Sequence, residues 1–593
     1  MDALAEYSGR ASRFRAAEEQ LRKQFDRIGN WRLGIAVAAA VLAWLIFARQ
    51  ALGPWWLLAP ALLFVALVVW HQRVLRRRTM AQRAVQFYDR GIARMQDRWQ
   101  GAGSNGERFR QADHAYADDL DLFGKGGLFE LLATTRTAAG EETLAKWLLQ
   151  PATREEALRR QAAVTELSRK LDLREDIALL AEDVRADIEA EALAAWGRAP
   201  IVKFPGWLPA VGTVLGLCGL TAVVCVFAQV IPLWPLLAIL GCDFALIFAL
   251  RSKVALVLGR VETSGRDLSV FAALVERLEE EQFAGERLKE LRAGLEMSGH
   301  PASKRIARLG RLVDWLDSTD HIIVKALRPL LLLQEQLAAA FERWRKRSGV
   351  AMEAWIRAVA EFEALSSLAA TVFERSEWSM PNLLETSRGE FKAETLKHPL
   401  IPAAECIAND LEIGPQRPML VVSGSNMSGK STLLRAVGLN TVLAWAGGPV
   451  AAKRLDVSAL QIGASIRVND SLQDHRSRFF AEIMKIRLIV ELTKQPAPVL
   501  FLLDELLSGT NSHDRRIGAA GIVRELLRAN AIGLMTTHDL ALAHVQQDVA
   551  GVENVHFEDQ MDGTEMRFDY KLKPGVVTRS NALELMRAVG LEV

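Results

Sequence analysis

The clearest feature of the hydrophobic pattern is a pair of charge-free apolar runs near the start of the chain. Residues 33–48 and 55–70 contain no Asp, Glu, Lys or Arg, and turn-forming residues separate them at 49–54. Each run is slightly shorter than the roughly 20 residues with which a helix spans a bilayer, so a soluble helical hairpin is one interpretation. Tryptophans lie at the ends of the runs and arginines follow at once, as in an interfacial belt. We therefore favour a transmembrane hairpin at about 33–70.

A second apolar hairpin occurs further along the chain. Residues 204–242 carry no Asp, Glu, Lys or Arg, and the apolar pattern breaks at 229–235 before it resumes to Leu250. This length predicts a transmembrane hairpin at 204–253. Asp243 is the one ionisable residue inside the pair of runs, and helix pairing, snorkelling or ion conduction would each explain an acid there. Both hairpins have basic flanks and nearly uncharged tips, which predicts that the flanks face the cytoplasm.

The rest of the pattern divides into a helical part and an α/β part. Residues 1–32, and most of the chain outside the hairpins up to 394, carry apolar residues at helical spacing. Beyond this point, short continuous apolar runs are typical of buried parallel strands. We expect a multidomain chain, with an N-terminal helical region that carries the first hairpin, a first helical domain, the second hairpin, a second helical domain and an α/β domain. Their predicted bounds are 1–111, 112–203, 204–253, 254–394 and 395–593.

Composition limits the function classes only weakly. The chain of 593 residues has a formal net charge of +2, so any contact with nucleic acid has to be local. Basic residues in two helical stretches either contact phosphates or form solvated helical faces. These residues are Arg305, Arg308, Arg311, Arg343, Arg345, Lys346 and Arg347. The chain has 4 cysteines, too few for a disulfide framework, which favours a reducing compartment.

The apolar run at 419–422 ends in a glycine-rich loop that a helical pattern follows at once. Gly424, Gly429, Lys430 and Ser431 fit the spacing G-x-x-x-x-G-K-[ST] of a phosphate-binding loop. Glycines in such a loop let successive backbone N–H groups converge on an anion, and the next helix directs its positive end at the phosphates. Lys430 would then reach the β- and γ-phosphates, and Ser431 would bind Mg²⁺. The sequence therefore predicts a nucleoside triphosphate site.

Two more apolar runs supply candidate catalytic residues. The run at 498–503 ends in Asp504 and Glu505, and the run at 532–537 leads directly to His538. The carboxyl ends of parallel strands share one edge of a sheet, where ligands gather. We expect Asp504 to support the metal, Glu505 to polarise the attacking water and His538 to sense the γ-phosphate.

These motifs resemble the ATPase domain of the MutS family. The loop Ser423-Gly-Ser-Asn-Met-Ser-Gly-Lys-Ser-Thr432 is close to the family's T-G-P-N-M-x-G-K-S-T, with Ser425 in place of the proline. Four further segments parallel R-S-T-F, D-E-x-x-R-G-T-S, A-T-H and G-V-x-N-x-H in that order, at 476–479, 503–512, 536–538 and 551–556. Five motifs in sequence order over most of one domain make the resemblance highly specific.

The resemblance implies a larger site than the loop motif alone. It implies ATP and Mg²⁺ as ligands, with Glu505, His538 and Lys430 as catalytic residues and with Ser431 and Asp504 at the metal. The nucleotide-binding positions that it implies are Gly424, Ser425, Asn426, Met427, Ser428, Gly429, Lys430, Ser431, Thr432 and Ile407. In this family, and in ABC-type ATPases, a serine completes the site of the opposite subunit. Ser477 takes that part here, and the resemblance therefore implies a homodimer.

The same family is recognisable before the second hairpin. Thr134-Thr-Arg-Thr137 and Trp147-Leu-Leu-Gln-Pro151 follow its T-R-T-x-x-G turn and its R-W-L-L-x-P segment. Cys406, however, stands where the family usually has an aromatic residue that stacks on adenine. Leu507 and Ser508 replace the usual Gly-Arg pair. The N-terminal region also lacks the Phe-x-Glu motif with which the family reads mismatched bases.

Two functions of different classes are compatible with these features. The first is a MutS-like ATPase of the ABC-type P-loop class that binds DNA. It would be a multi-pass protein of a bacterial-type inner or plasma membrane, with its ATPase domain and both termini in the cytoplasm. The second is an ABC-type membrane ATPase or transporter component that does not act on DNA. The transporter signature Leu-Ser-Gly-Gly-Gln is absent, and four membrane helices are few for a transport pathway. We therefore favour the first. No nuclease domain is expected after the ATPase, because only a helical stretch at 579–589 follows it.

Overall fold

The first charge-free run extends the helix before it and does not start a new element. In this computed structural model, helix α1 covers Ala3–Phe47 without a break. It contains no proline, and the glycines within it weaken a helix without removing a backbone hydrogen bond. The structure describes residues 2–49, 53–184, 190–262, 268–297, 299–319, 322–425, 427–467, 478–507, 511–538, 551–562 and 565–576.

Helix α1 forms a compact unit, Met1–Ala102, with the helix that follows it. A short 3₁₀ turn at Pro54–Leu57 leads into α2, Leu58–Met95, which runs antiparallel to α1. Tyr7 packs edge-on against Tyr88, with 5.2 Å between ring centroids. The charged ends of the two helices therefore hold buried aromatic contacts, whereas many large apolar side chains at the charge-free ends are exposed.

The second compact unit, Gly103–Val593, begins with a helical part. After a 3₁₀ turn at Glu107–Phe109, most of its helices pack along the 42-residue helix α14, which is about 63 Å long. Two short strands, β1 (Glu296–Met297) and β2 (His300–Pro301), form an antiparallel pair. The helices are α3 (Leu128–Leu132), α4 (Ala138–Leu149), α5 (Arg154–Ser168), α6 (Leu171–Val184), α7 (Ala190–Arg198), α8 (Leu208–Phe227), α9 (Trp234–Glu262), α10 (Leu268–Glu280), α11 (Glu286–Gly294), α12 (Ala302–Ser318), α13 (Ile322–Leu327) and α14 (Leu333–Glu374).

The second apolar hairpin consists of α8 and α9, and a row of glycines on α8 contacts the first turn of α14 and the residues just before it. Gly212, Gly216 and Gly219 lie against Gln336, Leu331 and Leu330, respectively. Because glycine has no side chain, the two backbones can approach closely. By length and composition, 4 helices in the described part of the chain could cross a membrane. They are α1, α2, α8 and α9.

Asp243 lies on α9, and its side chain faces protein. The residue is only 1% exposed, and neither carboxylate oxygen has a hydrogen-bond partner among the described residues. Glu335 on α14 is also buried. Burial raises the pKa of Glu335, and the nearby carboxyl of Asp243 acts in the same direction. Of the three interpretations of Asp243, the burial fits helix pairing better than snorkelling to the surface.

In its described residues, the α/β part contains two sheets and three helices. The larger sheet has the strand order β12-β11-β6-β10-β9-β8, and only β12 runs antiparallel to its neighbour. Its strands are β6 (Met419–Ser423), β8 (Gln461–Ser465), β9 (Val499–Leu503), β10 (Ile532–Thr537), β11 (Val552–Asp562) and β12 (Glu565–Pro574). The smaller sheet contains β3 (Asn382–Leu383), β4 (Phe391–Leu396), β5 (Asn409–Ile413) and β7 (Arg454–Val457). The helices are α15 (Lys430–Ala446), α16 (Arg478–Leu492) and α17 (Ser512–Arg528).

Three central strands of the larger sheet are buried at every position. This applies to β6, β9 and β10, whose apolar side chains form a core with α16 and α17. Strands covered on both faces read as continuous apolar runs in the sequence. Because these strands are parallel, their carboxyl ends lie together at one edge of the sheet, and the candidate site is built there.

Candidate nucleotide-binding site

The loop between β6 and α15 has the backbone shape that its glycines predict. Gly424 and Gly429 have positive φ angles of 154° and 100°, a region in which residues with side chains are strained. A Cβ atom at Gly424 would lie 2.7 Å from Ser428 Oγ. Gly429 occupies the N-cap position of α15. The N–H groups of the first helical turn lack partners within the helix, so they are available to an anion.

Lys430, the first residue of α15, is buried against the loop. Its Nζ donates hydrogen bonds to the carbonyl oxygens of Gly424 (3.0 Å) and Ser425 (2.8 Å). Burial lowers the pKa of the Lys430 ammonium, and the acidic residues after β9 oppose this shift. The hydroxyl oxygens of Ser425 and Ser428 are buried without a hydrogen-bond partner in the described part of the chain. A buried cation beside unsatisfied hydroxyls fits the oxygens of a phosphate group.

The two acidic residues after β9 are held by Thr536 of the neighbouring strand. The Thr536 hydroxyl donates a hydrogen bond to Asp504 Oδ1 and accepts one of 3.0 Å from the backbone N–H of Glu505. Glu505 has a positive φ of 48°, and such strained backbone is concentrated at functional sites. His538 Nδ1 lies 3.3 Å from Glu505 Oε1. Thr536 thus positions the Asp504 carboxylate and the backbone of Glu505 at the strand ends, and His538 contacts the Glu505 carboxylate.

A cavity of about 780 Å³ brings most of the predicted residues together. The predicted residues that line it are Ile407, Met427, Gly429, Lys430, Ser431, Thr432, Asp504 and Glu505. Gly424, Ser425, Ser428 and His538 lie beside the cavity and not in its lining. Asn426 and Ser477 lie outside the described residues. The Ser431 hydroxyl and the Asp504 carboxylate offer oxygen ligands of the kind that Mg²⁺ prefers.

Tyr570 lines the same cavity, although no sequence motif marks it. A Cβ atom built at Gly429 would lie 3.2 Å from the Tyr570 ring. The Asn409 side chain fixes this part of β12, because it donates to the carbonyl of Tyr570 (3.0 Å) and accepts from the N–H of Leu572 (2.8 Å). Two aromatic rings line the cavity, and Tyr570 is 41% exposed whereas Phe557 is only 2% exposed. With Cys406 at the usual aromatic position, Tyr570 is therefore the ring that could stack on a base. Alternating apolar residues at 566–572 were the available sequence signal.

Asp119 joins the first helical domain to the site. Its carboxylate is fully buried and accepts hydrogen bonds of 2.8 Å from the backbone N–H groups of Ile466 and Arg467, just after β8. Lys485 of α16 also donates to it. The backbone N–H of Asp504 in turn donates to the carbonyl of Ser465 at the end of β8, over 2.9 Å. No short sequence motif singles out Asp119.

Two family models match the chain in this order. The model of MutS domain III matches residues 113–369, and the model of MutS domain V matches residues 420–592. The second hairpin therefore lies inside the first match, and the phosphate-binding loop lies at the start of the second.

Individual relatives match shorter parts of the chain. Endonuclease MutS2 of Bacillus velezensis is 33% identical over 34% of this chain and 26% of its own length. The DNA mismatch repair protein MutS of Oleidesulfovibrio alaskensis is 28% identical over 52% of this chain and 32% of its own length. The corresponding protein of Natronomonas pharaonis is 28% identical over 46% and 31%. The matched part of the chain thus spans between about a quarter and a third of these relatives. On the two domain matches and these relatives together, the chain is a member of the MutS family.

Proposed function

We propose that this chain is a membrane-anchored ATPase of the MutS family that hydrolyses ATP with Mg²⁺, acts as a homodimer and couples hydrolysis to DNA binding. One observation carries the proposal. Lys430, Ser431, Asp504 and Glu505 come from two different strand ends and line one cavity of about 780 Å³. A phosphate-binding loop, an oxygen ligand set and an acid beside it are the parts that phosphoryl transfer to water requires.

Each residue has a distinct part in the proposed reaction. Lys430 and the N–H groups of the loop bind and orient the phosphates, while Ser431 and Asp504 would hold Mg²⁺. When bound, Mg²⁺ supplies positive charge to the phosphate oxygens. Glu505 orients and polarises the attacking water. His538, at 3.3 Å from Glu505, keeps that carboxylate in place and is positioned to sense the γ-phosphate.

The membrane part of the proposal rests on the exposed apolar surface of the helices that could cross a bilayer. Large side chains such as Trp55 (79% exposed) and Phe227 (86% exposed) would contact lipid and not water. A soluble domain rarely exposes this much contiguous apolar surface. The basic flanks favour an inner or plasma membrane, with the ATPase and both termini in the cytoplasm.

The DNA part of the proposal rests on family membership. Two of the relatives bear the name DNA mismatch repair protein. This chain lacks the Phe-x-Glu motif in its N-terminal region, so we propose DNA binding through phosphates without strong mismatch selectivity. The alternative, an ABC-type transporter component, gains no support from relatives named for DNA repair.

The hydrolysis proposal is tested with purified full-length protein in detergent. We expect ATP turnover that requires Mg²⁺. Glu505→Gln keeps the shape of the side chain but removes the base, so nucleotide should still bind while turnover falls on the order of 10²-fold or more. Lys430→Ala should instead weaken nucleotide binding, because it removes charge from the phosphates. Glu412→Gln, at an exposed position of β5, is the control. Wild-type turnover in Glu505→Gln would refute the assignment of the base.

A further inference from the structure

A second large cavity lies between α12 and α14, away from the nucleotide site. Its volume is about 640 Å³. Most of its polar lining is cationic or titratable: His300, Lys304, Arg305, Arg308, Arg343 and Arg347. We call the space that these residues line the basic cavity. Ser348 and Trp344 add buried walls.

Four cations that line the basic cavity are not compensated by a carboxylate of the described residues. Within the described part of the chain, Lys304, Arg308, Arg343 and Arg347 form no ion pair with a carboxylate. Arg343 Nε donates only to a carbonyl of its own helix, at 3.2 Å. Arg305 is oriented by Ser348 Oγ, at 3.0 Å from its Nη1. Several exposed cations around one concave space repel each other, and a bound anion would remove that repulsion.

Arg345 shows what a structural arginine on the same helix looks like. Its side chain is 1% exposed and pairs with Glu342 at 2.6 Å. It also donates to the carbonyl oxygen of Pro200, at 2.8 Å. The prediction that Arg345 contacts phosphates or lies on a solvated face is therefore wrong. Arg345 instead attaches α14 to the chain before α8. Arg343 and Arg347, on either side of it, remain open to the cavity.

The contacts of α14 with the second hairpin show where the basic cavity lies along the length of that hairpin. Gln336 lies against Gly212, in the second turn of α8. Two turns later along α14, Glu342 accepts a hydrogen bond of 2.9 Å from the N–H of Val202, before α8 begins. Residues 340–348 are therefore level with the flank of the hairpin, where its charge-free stretch ends.

Trp315 supports this level independently. It lies on α12 about one turn beyond Leu312, a residue of the cavity wall, and it is 60% exposed. Helix α12 packs against α14 there, because Trp344 Nε1 donates to the carbonyl of Arg305 at 2.8 Å and Arg305 Nη1 donates to Ser348 Oγ at 3.0 Å. Trp315 is thus an exposed aromatic side chain near the cavity. An exposed tryptophan at that level is typical of the membrane–water interface.

We propose that the basic cavity binds the phosphate-bearing headgroup of an anionic phospholipid from the cytoplasmic leaflet. The inference rests on the proposed membrane anchoring of the second hairpin. Basic pockets on the cytoplasmic side of membrane helices suit such headgroups, and each cation near the surface contributes roughly 1 kcal/mol. A zwitterionic headgroup carries a cation of its own and fits this cavity less well.

The test uses full-length protein in detergent micelles and fluorescently labelled short-chain lipids. Phosphatidic acid and phosphatidylglycerol should bind, and phosphatidylcholine should bind weakly. The double variant Arg343→Gln/Arg347→Gln should lose affinity for the anionic lipids on the order of tenfold or more. Arg357→Gln is the matched control, because Arg357 is an exposed arginine further along α14. We expect no change in the control.

Two readouts keep the possible failures apart. Unchanged affinity of the double variant for anionic lipid overturns the inference, as does a loss of duplex DNA binding without a loss of lipid binding, which would make the cavity a nucleic-acid site. Membrane association is measured separately, by alkaline extraction of cell membranes. Release of the wild-type protein by that treatment would contradict the proposed anchoring, whereas a retained protein with an inert cavity contradicts only the lipid site.

Discussion

Glu363, buried in the last third of α14, accepts hydrogen bonds from both the backbone N–H and the hydroxyl of Thr137, the N-cap residue of α4. The N–H of Arg136 adds a third hydrogen bond, of 2.7 Å. A Cβ atom at Gly140 would lie 2.5 Å from the same carboxylate. The T-R-T-x-x-G turn of the sequence is therefore the place where α4 is attached to the longest helix of the unit. Because α4 also packs against α15, this contact connects α14 to the helix that begins at Lys430.

This contact predicts a pH dependence of stability. Burial raises the pKa of Glu363 to about 7. A carboxyl whose pKa is higher in the folded state stabilises the fold most below its unfolded pKa of about 4.5, and this stabilisation is lost as the pH rises through about 7. Between pH 6 and pH 8 the loss is about 1.4 kcal/mol. Glu363→Gln cannot titrate, so the difference in unfolding free energy between wild type and variant should change by about this amount.

The measurement is urea unfolding of both proteins in detergent, at pH 6 and at pH 8. The other titrating groups are common to both proteins, so only the difference between them is interpreted. Glu491→Gln is the control, because Glu491 is half-exposed on α16. A wild-type protein whose pH dependence matches that of Glu363→Gln would show that Glu363 is ionised throughout this range.

The contact of α14 with the second hairpin predicts that substitutions at two glycines change the stability of the protein by different amounts. A Cβ atom at Gly219 would clash with Leu330 Cδ1, whereas one at Gly241 on α9 meets nothing within 4 Å. Gly219→Val should therefore displace the turn before α14 and lower the thermal stability of the protein in detergent, by on the order of 1–3 kcal/mol. Gly241→Val should leave it unchanged. Leu330→Ala should partly rescue Gly219→Val, because it vacates the space that the new side chain needs. Equal effects at both glycines would contradict the close contact.

The part of the site that the sequence could predict consists of residues that directly follow a buried strand. The loop at 424–431 and the acids at 504–505 are recognisable because a buried strand ends directly before each of them. Their convergence follows from the parallel sheet, in which the carboxyl ends of the strands meet. The glycine φ angles at the loop are local properties as well. The phosphate half of the candidate site was therefore open to prediction from short stretches of sequence.

Long-range contacts bring further residues to the site, and these could not be predicted from the sequence. Asp119 reaches Ile466 across more than 340 positions, and Tyr570 reaches the loop from a strand near the end of the sequence. No local pattern contains either relationship. The same limit applies to Arg343 and Arg345, two arginines of one basic run. Only the packing of α14 decides that Arg345 is buried beside Glu342 while Arg343 is open.

The hairpin tips predict the membrane topology. The segments around Gly53 and Pro232 connect the two helices of each hairpin, and the basic flanks predict that these tips lie outside the cytoplasm. After replacement of the natural cysteines, Gly53→Cys or Pro232→Cys should react with a membrane-impermeant maleimide in intact cells. A cysteine at exposed Glu412 is the control and should react only after the membrane is opened. Labelling of a tip cysteine only in opened membranes would contradict the proposed topology.

The salt dependence of DNA binding distinguishes phosphate contacts from base reading. Without a Phe-x-Glu reader, affinity should fall steeply as salt rises, because each phosphate contact releases counterions. Matched and mismatched duplexes should bind with affinities within a few fold of each other. The measurement is fluorescence anisotropy of labelled duplexes with full-length protein in detergent, across a range of salt concentrations. A strong mismatch preference that persists at high salt would overturn the proposed lack of selectivity.

Dimerisation predicts complementation between two inactive variants. Ser477 is expected to complete the site of the opposite subunit, whereas Lys430 acts in the site of its own chain, where its Nζ contacts the loop at 2.8 Å. Lys430→Ala and Ser477→Ala should each abolish turnover when tested alone. In a mixed dimer one site carries both lesions and the other carries neither, so the second site should recover hydrolysis.

The measurement is ATP turnover after differently tagged variants are co-expressed and isolated as mixed dimers by two successive affinity steps. Wild-type dimers purified in the same way set the upper limit, and about half of their turnover is the expected value if the sites act independently. Isolated mixed dimers without activity would exclude a site shared in this way, and full activity of Ser477→Ala alone would remove that serine from the reaction.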